Sequence, residues 1–283
     1  MWSIGIYTGD SPFQLAPTTP NPVLTHTDVT DIPAAFVADP FMIRRDGRWH
    51  MFFEVMNRET RRGEIALAVS DDGFSWTYER IVIRESFHLS YPYVFEWQGE
   101  CYMVPETLGA GAVCLYKADD FPTRWSRQQK LIDRSHADPS ILRFDDLWWL
   151  FVCATPFQHD VLRLYFALDL DGPWKEHPRS PIIRGDKYRA RPAGRILCLD
   201  QRVIRFAQEC VPRYGTRVRA FEISELTRER YAEVERKHPV LSPGGQEWNG
   251  SGMHHVDAHQ LPDGKWIACV DGANRQSAID NRQ

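Results

Sequence analysis

Several things are missing from this chain of 283 residues. No apolar run approaches the ~20 residues needed to cross a bilayer, and the opening "MWSIGIYTGDSPF" has no basic segment leading into an apolar signal core. Neither sign of charge dominates. Lys and Arg total 34 against 38 Asp and Glu, spread without long runs, so the electrostatic footprint of a nucleic-acid or anionic-membrane binder is lacking. These absences lead us to expect a soluble, cytoplasmic protein with no nucleic-acid partner and no membrane span. The six cysteines, at 101, 114, 153, 198, 210 and 269, form no CxxC and no close pairing with histidine, which argues against zinc or redox motifs. Cys101 and Cys114 could face each other across a hairpin, but a reduced state is expected in a cytosolic chain. Helical patterning is also scarce. Only "ISELTRERYAEVERK", from Ile223 to Lys237, has helical spacing; it stands where an outer strand pair or a linking loop belongs, and at most a short helix is expected there.

What is present is repetition. "ADPFMIRRDGRWHMFFEV" is followed by "SYPYVFEWQGECYMVPET" from Ser90, "ADPSILRFDDLWWLFVCA" from Ala137, "ARPAGRILCLDQRVIRFAQE" from Ala190 and "HVDAHQLPDGKWIACVDG" from His255. Each copy has a small or polar residue, usually a proline, then an apolar strand, a polar turn and a second apolar strand. A further phrase follows the first three copies and closes on Trp76, Trp125 and Trp174, spaced 49 residues apart. Alternating stretches such as "EIALAVS" and "RLYFALD" mark the hairpins of that phrase. Units of ~40 to 50 residues with four strands each predict a β-propeller.

The expected architecture is all-β: one five-bladed propeller over residues 1–283, with blades near 37–84, 88–133, 136–184, 189–240 and 250–272. The residues after "KWIACVDG" are too polar to finish the last blade, and "SIGIYTG" is an orphan strand at the other end. Residues 2–8 are therefore expected to pair into the final blade and close the ring.

In a propeller the first strand of each blade lines the central channel, so equivalent positions of different repeats converge. Asp39, Tyr91, Asp138, Arg191 and the His254–His255 pair are equivalent in this sense. An Asp-Pro pair before a strand can be a mere turn opening. Two in register, however, suggest carboxylates held close enough to raise one another's pKa, as hydrolysis of a glycosidic bond requires. Glu54 and Glu106 end the second strands of their repeats, and Gln208 and Glu209 do so in the fourth. Glu209 is the first candidate for a proton donor and Glu106 its rival, while Glu54, Gln208, His254 and His255 are expected to flank the substrate. In "GMHHVDAH" the residues His255, Asp257 and His259 face one way on a strand and could ligate a channel metal, although hydrogen bonding across a polar core is the simpler expectation and no cofactor is expected. Ten Trp, ten Tyr and fifteen Phe would suit either sugar stacking or blade packing.

At these residues the sequence resembles a known group. "ADPF" opening the first unit and "ADPS" opening the third are similar to the five-bladed propellers of the glycoside hydrolase family 43 and 32 superfamily. More closely, "IGIYTG", "VADPF", "GEIALAVSDDGFSW", "YPYVFEW", "VPET", "HADPSI" and "RPAGRI" resemble the amino-terminal domain of plant glucosamine inositolphosphorylceramide transferases and its free-standing bacterial relatives, over about residues 2 to 272. The hydrolase resemblance implies that Asp39 is base or nucleophile, that Asp138 orients substrate and tunes the acid, and that Glu209, in "AQEC", or Glu106 protonates the leaving oxygen. Arg191 and Tyr91 would then bind hydroxyls or a substrate anion. Family 32's "NDPNG" is absent. The transferase resemblance implies instead a propeller that holds a glycan or nucleotide sugar for a glycosyltransferase partner without cleaving it.

Overall fold

Alternating apolar residues, cut at short intervals by turn residues, leave each segment one way to bury its apolar face: against the next strand of the same unit. In the computed structural model, which describes residues 1–18, 20–245 and 248–274, every repeat accordingly forms an antiparallel sheet, and five such sheets make a propeller. Blade I comprises Ala34–Arg45, Arg48–Asn57, Arg62–Ser70 and Thr77–Ile83. Blade II comprises Ser90–Trp97, Glu100–Glu106, Val113–Asp120 and Arg124–Ile132. In blade III Ala137–Phe144, Leu147–Cys153 and Val161–Ala167 are followed by the short strands Lys175–Glu176 and Ile183–Arg184, both paired to the third. Blade IV has its inner strand in two pieces, Arg191–Pro192 and Leu197–Leu199, followed by Arg202–Glu209, Arg217–Leu226 and Tyr231–Glu235. Blade V takes Val256–Gln260 and Trp266–Ala273 from one end of the chain and Trp2–Ser11 and Gln14–Pro17 from the other.

The N-terminal strand lies against the C-terminal one in continuous register, from Trp2 opposite Ala273 to Gly9 opposite Trp266. The polar stretch 275–283, expected to add no strand, lies outside the described residues. Among the described residues no α-helix is present, and the one helical turn is the 3-10 segment Leu108–Ala110. None is long and apolar enough to cross a membrane. Ile223 to Lys237 takes the place of an outer strand pair, one of the two places expected for it, and has no helical turn. Phe221 pairs with Glu235 and Leu226 with Tyr231, around a turn in which the Thr227 N–H donates to the Arg230 carbonyl. Local charge spacing loses there to the open edge of blade IV, which needs an outer strand.

Inner hairpins are turned by residue pairs with positive φ: Asp46-Gly47, Gln98-Gly99, Asp145-Asp146 and Asp200-Gln201. Two such residues in succession are what a tight two-residue hairpin demands. The three evenly spaced tryptophans each donate an indole N–H to a nearby carbonyl, Trp76 to Gly73, Trp125 to Pro122 and Trp174 to Leu170, and so pin the loop before the outer strand. Cys101 and Cys114 do not face each other: Tyr102 pairs with Lys117, the Cys101 thiol lies 2.9 Å from Arg45 Nη1, and both cysteines are free.

The axis is filled. Arg195, from blade IV, reaches Asp257 of blade V (Nε to Oδ1, 2.5 Å) and donates to the Val94 carbonyl of blade II at 2.9 Å and the Met42 carbonyl of blade I at 3.3 Å. The rings of Phe41 and Tyr93 flank its guanidinium.

Candidate active site

At the start of the inner strands of blades I, II and III the ladder skips, between Ala38 and Phe41, Ser90 and Tyr93, and Ala137 and Ser140. Within each skip sits a non-glycine residue in the left-handed region: Asp39 (φ 52°), Tyr91 (φ 49°) and Asp138 (φ 49°). Bulges re-aim side chains, and a left-handed conformation costs a non-glycine residue on the order of 1–3 kcal/mol, so three equivalent ones are maintained by their surroundings.

Asp138 is clamped. Arg191 grips it with Nε to Oδ2 at 2.5 Å and Nη2 to Oδ1 at 3.2 Å, and Gln208 Nε2 donates to Oδ2 at 3.0 Å. Glu106 Oε2 accepts the Asp138 backbone N–H at 3.1 Å and lies 3.7 Å from Arg191 Nη2. The guanidinium also donates to the Pro156 carbonyl at 2.7 Å, meets His159 Nδ1 at 2.9 Å, and is roofed by the Tyr214 ring at 5.0 Å.

Asp39 is less committed. Its backbone N–H donates to Asp271 Oδ2 at 3.0 Å, but its own Oδ1 stands 3.8 Å from both His254 Nε2 and His255 Nδ1. His254 is oriented by Asp271, whose Oδ1 lies 2.7 Å from Nδ1, and is stacked on Trp2 with ring centres 3.9 Å apart. His255 is wholly buried between Phe41 and Tyr91, and both its ring nitrogens are without a hydrogen bond among the described residues.

Crowding sets the electrostatics. Burial, reinforced by Asp271 and Asp138, raises the Asp39 carboxyl to about 7 against the pull of His254. Burial and Glu106 raise Asp138 to about 7 despite Arg191. Burial first, then Asp39, Glu106, Asp271 and Asp138, push Glu54 well above the usual carboxylate range. Burial alone would push Asp271 up and His254 down. Their mutual contact overrides it, lowering Asp271 and raising His254, which makes them a charged pair.

The structure therefore brings Asp39, Glu54, Glu106, Asp138, Arg191, Gln208 and His254 into one buried cluster. It does not bring Glu209 there. Alternation turns Glu209 to the other face of the strand from Gln208, and Arg219 (Nε to Oε2, 2.7 Å) and Arg217 (3.6 Å) hold it outside. Tyr91 is a brace rather than a free hydroxyl: it bonds Ser140 Oγ at 2.7 Å and accepts the Gly194 N–H at 2.5 Å. Nor do Asp257 and His259 join His255. Asp257 is engaged by Arg195, the Met42 N–H at 2.6 Å and His259 Nε2 at 3.1 Å. Among the described residues the group with possible ligand atoms within 4.8 Å of one another is Asp39, His254 and Asp271, and the 2.7 Å contact between His254 and Asp271 is a hydrogen bond. Asp271 is a further member that the sequence candidates do not include, although it stands near the end of its strand as Glu54 and Glu106 do in theirs. Trp2, His159 and Tyr214 come from outside the repeat grammar and carried no signal.

The family model for the amino-terminal region of glucosamine inositolphosphorylceramide transferase 1 matches residues 1–273. The chain belongs to this family. Among its relatives, glucosamine inositolphosphorylceramide transferase 1 of Oryza sativa subsp. japonica is 36% identical over 308 residues, covering 100% of the chain and 41% of the relative. The Arabidopsis thaliana protein of the same name is 34% identical over 295 residues, covering 96% and 39%. The chain thus spans about two fifths of the length of the transferases it matches. The propeller is similar in fold to a thermostable family-43 glycoside hydrolase, at a TM-score of 0.63 and 13% identity, over 90% of this chain and 91% of that one. For a member of the transferase amino-terminal family the carboxylate cluster is the feature in need of a function.

Proposed function

We propose that the cluster is a carbohydrate site acting at a glycosidic bond, with Asp39 as the group that activates water or attacks the anomeric carbon and Asp138 as the orienting residue. The observation that carries this reading is the uncommitted side chain of Asp39, raised to about 7 within a ring of carboxyls. Such a group stands near the protonation balance useful for general-base work at neutral pH. Arg191, Gln208 and Glu106 hold Asp138 in place and would present its carboxyl to a sugar hydroxyl. Charge narrows the ligand. Asp39, Glu54 and Asp138 are all shifted toward their neutral forms and Asp271 is balanced by His254, so the cluster carries little net charge, which suits a neutral sugar.

A second reading is favoured by a specific observation. The relatives are named as transferases and extend well beyond the matched region, so the same pocket could hold a glycan for a transferase domain without cleaving it. Screening aryl glycosides and oligosaccharides with the wild type and Asp39→Asn separates the two. Turnover abolished by the substitution supports bond cleavage, glycan binding without turnover supports the holding role, and neither binding nor turnover sinks both.

A further inference from the structure

The cluster contains one acid whose commitments differ from those of its neighbours. Glu54 lies at the end of the strand Arg48–Asn57, opposite Ala38, the residue before Asp39. It is buried, and its Oε1 has no hydrogen bond among the described residues. His88 Nε2 approaches that oxygen to 3.3 Å. The orientation of this ring is fixed from behind: His88 Nδ1 accepts the Gly63 N–H at 2.8 Å, which leaves the ring proton on Nε2, the nitrogen nearer the carboxyl. Room for the pair depends on Gly63. A Cβ there would come within 2.8 Å of both Glu54 Oε1 and His88 Cε1, and within 2.1 Å of the Leu89 carbonyl oxygen. The rival acids are tied up, Glu106 by the Asp138 N–H and Arg191, and Glu209 by Arg219 and Arg217.

We infer that Glu54 is the proton donor of this site and that His88 is its positioning residue. This rests on reading the cluster as a site for glycosidic-bond chemistry. The environment is consistent with the role. Burial and the surrounding carboxyls push Glu54 well above the usual carboxylate range, while burial lowers His88 to about 4 and so keeps the neighbouring imidazole neutral. In the reaction the Glu54 proton passes to the glycosidic oxygen as the bond from that oxygen to the anomeric carbon breaks, and the bonding pair stays on the oxygen. Water supplies the new bond to the anomeric carbon and gives up a proton to Asp39. The Glu54 carboxylate left behind is reprotonated from solvent, and Asp39 releases its proton to solvent, before the next cycle.

Two measurements test this. Infrared difference spectra at neutral pH should show the carbonyl band of a protonated carboxylic acid that Glu54→Gln removes and Glu106→Gln leaves in place. With aryl glycosides, Glu54→Gln should lower kcat by about 10²- to 10⁴-fold on poor leaving groups and much less on an activated nitrophenyl group. His88→Ala should reproduce that leaving-group pattern in kcat with KM little changed, and His88→Gln should restore most of it. Only variants with the wild-type circular dichroism spectrum would be compared. A band removed by Glu106→Gln instead, or wild-type turnover of poor leaving groups by Glu54→Gln, overturns the donor assignment alone. Absence of turnover by the wild type on every substrate defeats the underlying reading, and the donor role with it.

Discussion

Asp39 shows how a single buried carboxyl links function to stability. Its folded-state pKa of about 7 lies above the ordinary value of 3.8, so between those limits the folded protein keeps a proton that the unfolded chain has released. Stability therefore falls as pH rises through this window, by on the order of 4 kcal/mol for a shift of that size. Glu54 and Asp138, shifted in the same direction, add to the fall. Asp39→Asn removes the titration but keeps the shape. Thermal unfolding followed from pH 5 to pH 8 should show a smaller loss of Tm in the variant than in the wild type, and equal slopes would contradict the raised pKa. At this scale the sequence was informative about position and silent about commitment. Equivalence between repeats picked out Asp39, Asp138, Arg191 and Glu106. It could not show that Tyr91 is consumed by Ser140 and Gly194, because a hydroxyl's partners lie 49 and 103 residues away.

Among the elements, the inner strand of blade IV departs most from the pattern, and Gly194 explains why. Its φ is 126°, and a Cβ would fall 1.8 Å from the Val256 carbonyl oxygen, where the strand leans on blade V. Backbone on both sides leaves nothing to yield. Gly194→Ala should cost more than about 2 kcal/mol, read as a drop in the urea midpoint at unchanged slope. A loss below half that would mean the two blades can slide apart freely. The strands themselves were legible from period-2 alternation and from turn pairs such as Asp46-Gly47. The hairpin at Arg217–Leu226 and Tyr231–Glu235 was not. Its outer strand is mostly exposed and charged, with Glu233 turned inward to a buried Arg205 (Nε to Oε2, 2.5 Å), so local composition imitates a solvated helix.

For the whole molecule, the pairing of Trp2–Ser11 with Trp266–Ala273 makes blade V a composite of the two chain ends. Removing residues 1–11 would leave the buried strand Trp266–Ala273 as an open edge, a template for association between chains. The shortened protein is expected to elute as aggregates on size-exclusion chromatography and to lose its cooperative melting transition. A monomer with an unchanged Tm would mean that the first strand is dispensable.

Arg195, braced between Asp257, Val94 and Met42, also has a consequence for how the blades hold together. One guanidinium thereby ties blades I, II and V to blade IV, so that truncating it would unlatch four sheets at a single point.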